Sequence, residues 1–186
     1  MSVVEKIKSL HINPYVNILV TGDNSKTLYM PLWGVSSKIP NVYTSNVVSG
    51  RNQIRCTLWD VPAHTNNTNR MFFSDDLSYC MVVYDIPYRK ALPSQISAPS
   101  IVEYIHQTKV YKLETVIIII KDETTKPEDY ETPRDYCVSI NIPPIIVDRK
   151  NLSKIQDLPQ TLSTRVYQQR QKAMTEEIRA LLEVSS

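Results

Sequence analysis

An α/β fold with a six-stranded, mostly parallel sheet and one antiparallel edge strand is predicted by three observations. Six short apolar runs alternate along the chain with longer amphipathic or turn-rich segments. Two of these runs, "MVVY" from Met81 and "VIIII" from Val116, are apolar at consecutive positions, as in strands covered by helices on both faces. Between Asn41 and Trp59, two runs flank "SGRNQ". Gly50 supplies turn chemistry there, so this pair reads as an antiparallel hairpin at a sheet edge.

Taken in order, the strands are expected at Val16–Thr21, Asn41–Val48, Ile54–Trp59, Cys80–Tyr84, Thr115–Ile120 and Pro144–Val147. The segment after the first strand, "YMPLWG", places Pro31 and Gly34 where a helix interior would run, so any helix there is short or absent. Helices are expected at Ser100–Leu113, around Glu128–Ser139 and from Gln160 to Glu183. The last carries apolar residues at three- and four-residue steps, Leu162, Val166, Met174, Ile178 and Leu181 among them, with charged residues between. The organisation is one domain over residues 1–159, with a helix over 160–186 that packs on it and projects from Met174 onward.

With 186 residues, 42% apolar content and a formal charge of +2, the chain suits one core and shows no charge bias toward nucleic acid or a membrane surface. It has no apolar run long enough to span a bilayer, and a cytoplasmic or nuclear location is expected. Three widely spaced cysteines, Cys56, Cys80 and Cys137, suggest buried reduced thiols rather than a metal site or a disulfide framework.

In such sheets ligands bind beyond the carboxyl ends of the strands, so the residues there are the functional candidates. They are Gly22-Asp23-Asn24-Ser25-Lys26-Thr27 after the first strand, "WDVPAH" (Trp59 to His64) after the third, "KDETT" from Lys121 after the fifth, and Asp148-Arg149-Lys150 after the sixth. In this order and spacing, the chain from Val16 to Lys150 resembles the Ras superfamily of small GTPases, in the region of the Rab, Ran and Arf branches. The resemblance implies a three-layer P-loop NTPase fold. "LWDVPAH" is similar to that family's switch II motif, with Asp60 as the acidic residue, Ala63 in place of the glycine and His64 in place of the catalytic Gln. "YCMVVYDI" resembles its fourth strand, and "IPPIIVDRKN" its sixth strand and the Ser-Ala-Lys loop that follows.

The departures from the family pattern decide the functional expectation. A phosphate-binding loop has a glycine, four residues, a second glycine, then Lys and Ser or Thr, so that successive N–H groups curl around the β-phosphate. Here Gly22 to Lys26 is two residues shorter, and Ser25 precedes the lysine. Losing about three charge-assisted hydrogen bonds removes roughly 5 kcal/mol, about three orders of magnitude in affinity. Lys26 and Thr27 retain two readings: contact with a phosphate and a magnesium ion, or a solvated lysine and a helix N-cap. The Asn-Lys-x-Asp motif that reads guanine becomes Ile120-Lys121-Asp122-Glu123, and Asp148-Arg149-Lys150 stands in place of the Ser-Ala-Lys loop.

The expectation is thus a pseudo-GTPase, a binding or scaffolding subunit of a protein assembly with no cofactor. The alternative is a divergent switch that binds and hydrolyses GTP, with GTP or GDP and Mg²⁺ as ligands. In that alternative Thr27, Ser37 and Asp60 hold the metal, and Lys121, Glu123, Arg149 and Lys150 line the base site. His64 orients the attacking water, as in the Asp-Cys-Pro-Gly-His motif of translational GTPases; otherwise it is an exposed loop histidine. A protein partner is expected on Trp33, His64, Met174, Ile178 and Leu181. No nucleic acid is expected, given the formal charge of +2, and no lipid anchor, since no cysteine follows Cys137.

Overall fold

A computed structural model describes residues 3–61, 77–94, 96–109 and 113–184. The fold is α/β, with a seven-stranded sheet in the order β2-β3-β4-β1-β5-β6-β7. The strands are β1 (Tyr15–Gly22), β2 (Val35–Ser36), β3 (Val42–Ser49), β4 (Asn52–Asp60), β5 (Leu77–Asp85), β6 (Glu114–Lys121) and β7 (Ile145–Asp148). Each of the six expected strands is present. The count of six is corrected to seven by β2, which has only two residues and too little pattern to register in sequence. β1, β4, β5, β6 and β7 run parallel, while β3 pairs antiparallel with β4 on one side and with β2 on the other.

The helices are α1 (Val3–Ser9), α2 (Met30–Trp33), α3 (Ile86–Lys90), α4 (Ile101–Lys109), α5 (Pro127–Ser139), α6 (Ser153–Gln156) and α7 (Leu158–Glu183). A 3-10 turn occupies Asn24–Leu28. The first-strand connection therefore carries only this turn and the four-residue α2, with Pro31 in its first turn and Gly34 as its C-cap, as Pro and Gly in that stretch require. α7 starts at Leu158, two residues before the expected Gln160, because Pro159 fits the first turn, where its missing N–H has no helical partner to lose.

The sheet divides the core by parity. Val16, Ile18 and Val20 of β1, Ile54, Cys56 and Leu58 of β4, and Tyr79, Met81 and Val83 of β5 face α2, α6 and α7, which contribute Trp33, Ile155, Leu162, Val166 and Tyr167. Leu19, Cys80, Val82, Ile117 and Ile119 face the opposite side, where α4 and α5 supply Ile101, Tyr104, Ile105 and Cys137. Coverage on both sides is why the middle strands read as unbroken apolar runs. All three cysteines are buried and unbridged, and burial pushes each thiol above its ordinary value, Cys56 to about 11. Since α7 supplies core residues, it belongs to the domain, and the expected division at residue 160 falls just inside this helix.

Candidate functional site

β1 lies at the centre of the sheet, between β4 and β5. The chain fills one side of it and then crosses to the other, which makes the carboxyl end of β1 the topological switch point where ligands of open α/β sheets bind. Three aspartates meet at this end: Asp23 after β1, Asp60 closing β4 and Asp85 closing β5. Each is paired with a cation of the same chain.

Gly22 has a φ of +113°, and a Cβ built on it would lie 2.1 Å from the carbonyl oxygen of Val83. No L side chain fits between the two backbones. Glycine is required here by the close approach of β1 to β5, and the Asp23 N–H donates to that same Val83 oxygen at 2.9 Å. The loop then closes on itself. The Lys26 N–H donates to the Asp23 carbonyl at 3.0 Å, and the Thr27 hydroxyl donates to the Asn24 carbonyl at 3.0 Å. Asn24 and Thr27 are exposed, while the Ser25 hydroxyl is buried without a hydrogen-bond partner.

The side chain of Lys26 is buried to 2% exposure, and its Nζ stands 3.1 Å from Oδ1 of Asp60, itself 5% exposed. This corrects the reading of Lys26 as a solvated lysine: its stem runs through the core, and its charge is matched at the end of β4. Asp23 turns inward. Its carboxylate accepts from the Asp85 N–H at 2.8 Å, from Nε of Arg89 at 2.8 Å and from the Tyr104 hydroxyl at 2.8 Å. Burial pushes its carboxyl above the usual value, against the opposing pull of Arg89. Arg89 also stacks 3.8 Å from the Tyr84 ring centroid and donates to the Pro99 carbonyl. Asp85 is fully buried. It accepts from the Tyr29 hydroxyl at 2.7 Å, from Nη2 of Arg149 at 3.2 Å and from the Tyr88 N–H at 3.0 Å, the last bond capping α3.

At the strand ends beyond, the candidate base-reading residues are engaged locally. Oδ1 of Asp122 accepts from the Thr124 N–H and from the hydroxyls of Thr124 and Thr125. The Thr124 hydroxyl bond holds its carboxyl below the usual value. Glu123 pairs with Lys150 on the surface, and Lys121 lies over the Tyr130 ring at 5.6 Å. Of the three expected metal ligands, Asp60 is taken by Lys26, Thr27 by its own turn, and Ser37 donates to the Ile39 carbonyl at 3.0 Å. No group of three or more His, Cys, Asp or Glu suited to a metal occurs among the described residues. Ala63 and His64 lie outside the described residues.

Trp33 corrects a second expectation. It is 3% exposed, and its indole Nε1 donates to the Ile155 carbonyl at 2.8 Å. A residue so placed joins α2 to α6 and is unavailable as a docking surface. On α7, Met174, Ile178 and Leu181 are half-buried, with α1 lying against this helix. Sequence reasoning missed Tyr29, Asp85, Arg89 and Tyr104. Asp85 had a signal, since it ends the apolar run "MVVYD" at a strand's carboxyl end; Arg89 and the tyrosines had none.

Two clefts lie away from this cluster. One, of about 760 Å³, runs beside the first turns of α7 over Val116 and Ile145, and one of about 270 Å³ lies between α4 and Tyr136 of α5. No helix among the described residues is long and apolar enough to cross a membrane. No protein-family model matches the chain, and no curated protein matches it.

Proposed function

We propose that this chain is a pseudo-GTPase: a small-GTPase-like P-loop fold whose nucleotide site is closed by its own ion pairs, retained as a binding subunit of a protein assembly. The observation that carries the reading is the pairing of Lys26 with Asp60, Arg89 with Asp23 and Arg149 with Asp85 at the switch point. A polyphosphate needs cations and free N–H groups. Here the three cations are already matched by three carboxylates, so the cluster offers a polyphosphate no net positive charge, and two of the loop N–H groups are bonded inside the chain. Glu123, in the place of the guanine-reading aspartate, has its carboxylate paired with Lys150.

A divergent GTP-binding switch is the second reading. It is favoured by the position of Lys26 beside Asp60, the lysine and aspartate that phosphate and magnesium would separate in a working site. The experiment is to purify the protein, denature it and identify any released nucleotide by chromatography, followed by calorimetric titration with GTP, GDP and Mg²⁺. The pseudo-GTPase reading expects no stoichiometric nucleotide and no binding in the nanomolar range. Stoichiometric guanine nucleotide, or hydrolysis abolished by His64→Ala, establishes the second reading instead.

A further inference from the structure

Arg89 fastens the approach to α4 from the short α3. Its Nε donates to Asp23 at 2.8 Å, its Nη2 donates to the Pro99 carbonyl, and its guanidinium lies 3.8 Å from the Tyr84 ring centroid and 5.5 Å from that of Tyr104. Pro99 stands just before α4, where Ser100 and Glu103 each bond the other's backbone N–H. The described residues of 92–99 make three hydrogen bonds. Two are local turns, from the Leu92 N–H to the Arg89 carbonyl and from the Ile96 N–H to the Pro93 carbonyl; the third is the one from the Arg89 side chain to Pro99. Ile96 and Ser97 are exposed. One side chain therefore ties this stretch down.

That side chain is in turn held by Asp23, the one carboxylate paired with Arg89 among the described residues. The Arg89 side chain is 16% exposed and that of Asp23 1%. Asp23 faces Arg89 from α3, Tyr104 from α4 and the Asp85 N–H from β5, with the Tyr84 ring stacked on the guanidinium. The other charges of the cluster are matched elsewhere, Lys26 with Asp60 and Arg149 with Asp85. A guanidinium so poorly hydrated depends on its counter-charge. Without it, the favourable course is to swing toward water.

We propose that Asp23 and Arg89 form an acid-operated latch on the approach to α4. Ionised, Asp23 keeps Arg89 inward, and Arg89 holds the Pro99 carbonyl. Protonated, Asp23 releases Arg89 to solvent, and residues 96–100 come free while the sheet and helices stay folded. The neutral carboxyl still fits its site: it accepts from the Asp85 N–H, and its own O–H donates to the Tyr104 oxygen, since a hydroxyl accepts as well as donates. Burial raises this carboxyl above its ordinary 3.8, so the native protein binds the proton more tightly than the unfolded chain does. Protonating Asp23 therefore favours the fold, and the released form is a native one. The latch is independent of whether the strand-end site binds nucleotide.

The test is a nitroxide label on Ser97→Cys, read by electron paramagnetic resonance from neutral pH into acid, with far-UV circular dichroism recorded in parallel. The native cysteines are buried, so the label is confined to residue 97. An ordered spectrum is expected at neutral pH, giving way to a mobile one with a midpoint above 3.8 while the circular dichroism is unchanged. Asp23→Asn keeps the shape of the side chain without its charge, and with it the label is expected to be mobile at every pH. Arg89→Gln is expected to free the label at neutral pH as well, and the titration itself needs neither variant to fold. A label equally ordered across the titration, a loosening that appears only as the circular dichroism is lost, or a folded variant that holds the label as firmly as the parent protein does at neutral pH would each overturn the proposal.

Discussion

Replacing Lys26 with methionine leaves the Asp60 carboxylate buried with no counter-charge. At the observed 3.1 Å, the Coulomb attraction is about 5 kcal/mol for an effective dielectric of 20. Desolvation of both ions in the intact protein offsets much of this attraction, so the pair contributes little net stability. The single variant, by contrast, keeps the desolvated aspartate and loses the attraction, and is expected to cost roughly 3–5 kcal/mol. For a domain whose whole stability is about 5–15 kcal/mol, that is a large fraction. The double variant Lys26→Met, Asp60→Leu removes both charges at similar volume and is expected to return to within about 1 kcal/mol of the wild type. Urea unfolding followed by circular dichroism on the four proteins of this cycle gives the coupling energy directly. The reasoning fails if Lys26→Met alone costs less than about 1 kcal/mol, since the lysine would then behave as a solvated group, or if the double variant is no more stable than the single ones.

Three further outcomes are expected. Gly22→Ala places a Cβ against the Val83 oxygen at a φ reserved for glycine; with roughly 1–3 kcal/mol of backbone strain added to the clash, the variant should unfold at markedly lower urea or fail to accumulate as soluble protein. Burial pushes the Tyr29 hydroxyl from 10.0 up to about 12, with the bond to Asp85 adding to the rise and Arg149 opposing it. Between those values the unfolded chain has released this proton and the native protein still holds it, so stability falls as pH rises through that window; the slope of unfolding free energy against pH should flatten in Tyr29→Phe. Deletion of residues 174–186 removes the part of α7 beyond its last core residue, Tyr167, and beyond Arg170, which donates to the Asn13 and Tyr15 carbonyls. The truncated protein should keep its circular dichroism spectrum apart from lost helix and lose partner capture in pull-down, whereas global unfolding would assign Met174, Ile178 and Leu181 to the core.

The frame was legible in sequence where a run of side chains repeats one physical demand. Val116 to Ile120 must be buried on both faces, and only a covered central strand allows that; Pro31 and Gly34 limit the helix after β1 without any tertiary information. The candidate site was legible in position but not in state. Asp23, Lys26 and Asp60 could be placed at strand ends from spacing alone, yet whether Lys26 meets solvent, a ligand or Asp60 depends on β1 and β4 lying side by side, a contact between residues far apart in the chain. Arg89, which holds Asp23, sits in the short α3 with no pattern to distinguish it from a surface arginine. Trp33 was misplaced for the same reason: a four-residue helix is too short for periodicity to reveal which face it buries.

The order in which α7 enters the fold bears on synthesis. The face of the sheet formed by Val16, Ile18, Ile54, Cys56, Leu58 and Met81 is closed by Leu162, Val166 and Tyr167, all later in the chain than every strand. A ribosome that has released β7 has therefore made the whole sheet while one of its apolar faces still lacks its principal cover. The opposite face is already served by α4 and α5. Nascent chains arrested just before Leu158 should accordingly be sensitive to protease and bound by chaperones that recognise apolar strands, and chains arrested with Tyr167 clear of the exit tunnel should be neither; equal protection of the two would show that the sheet does not wait for its last helix.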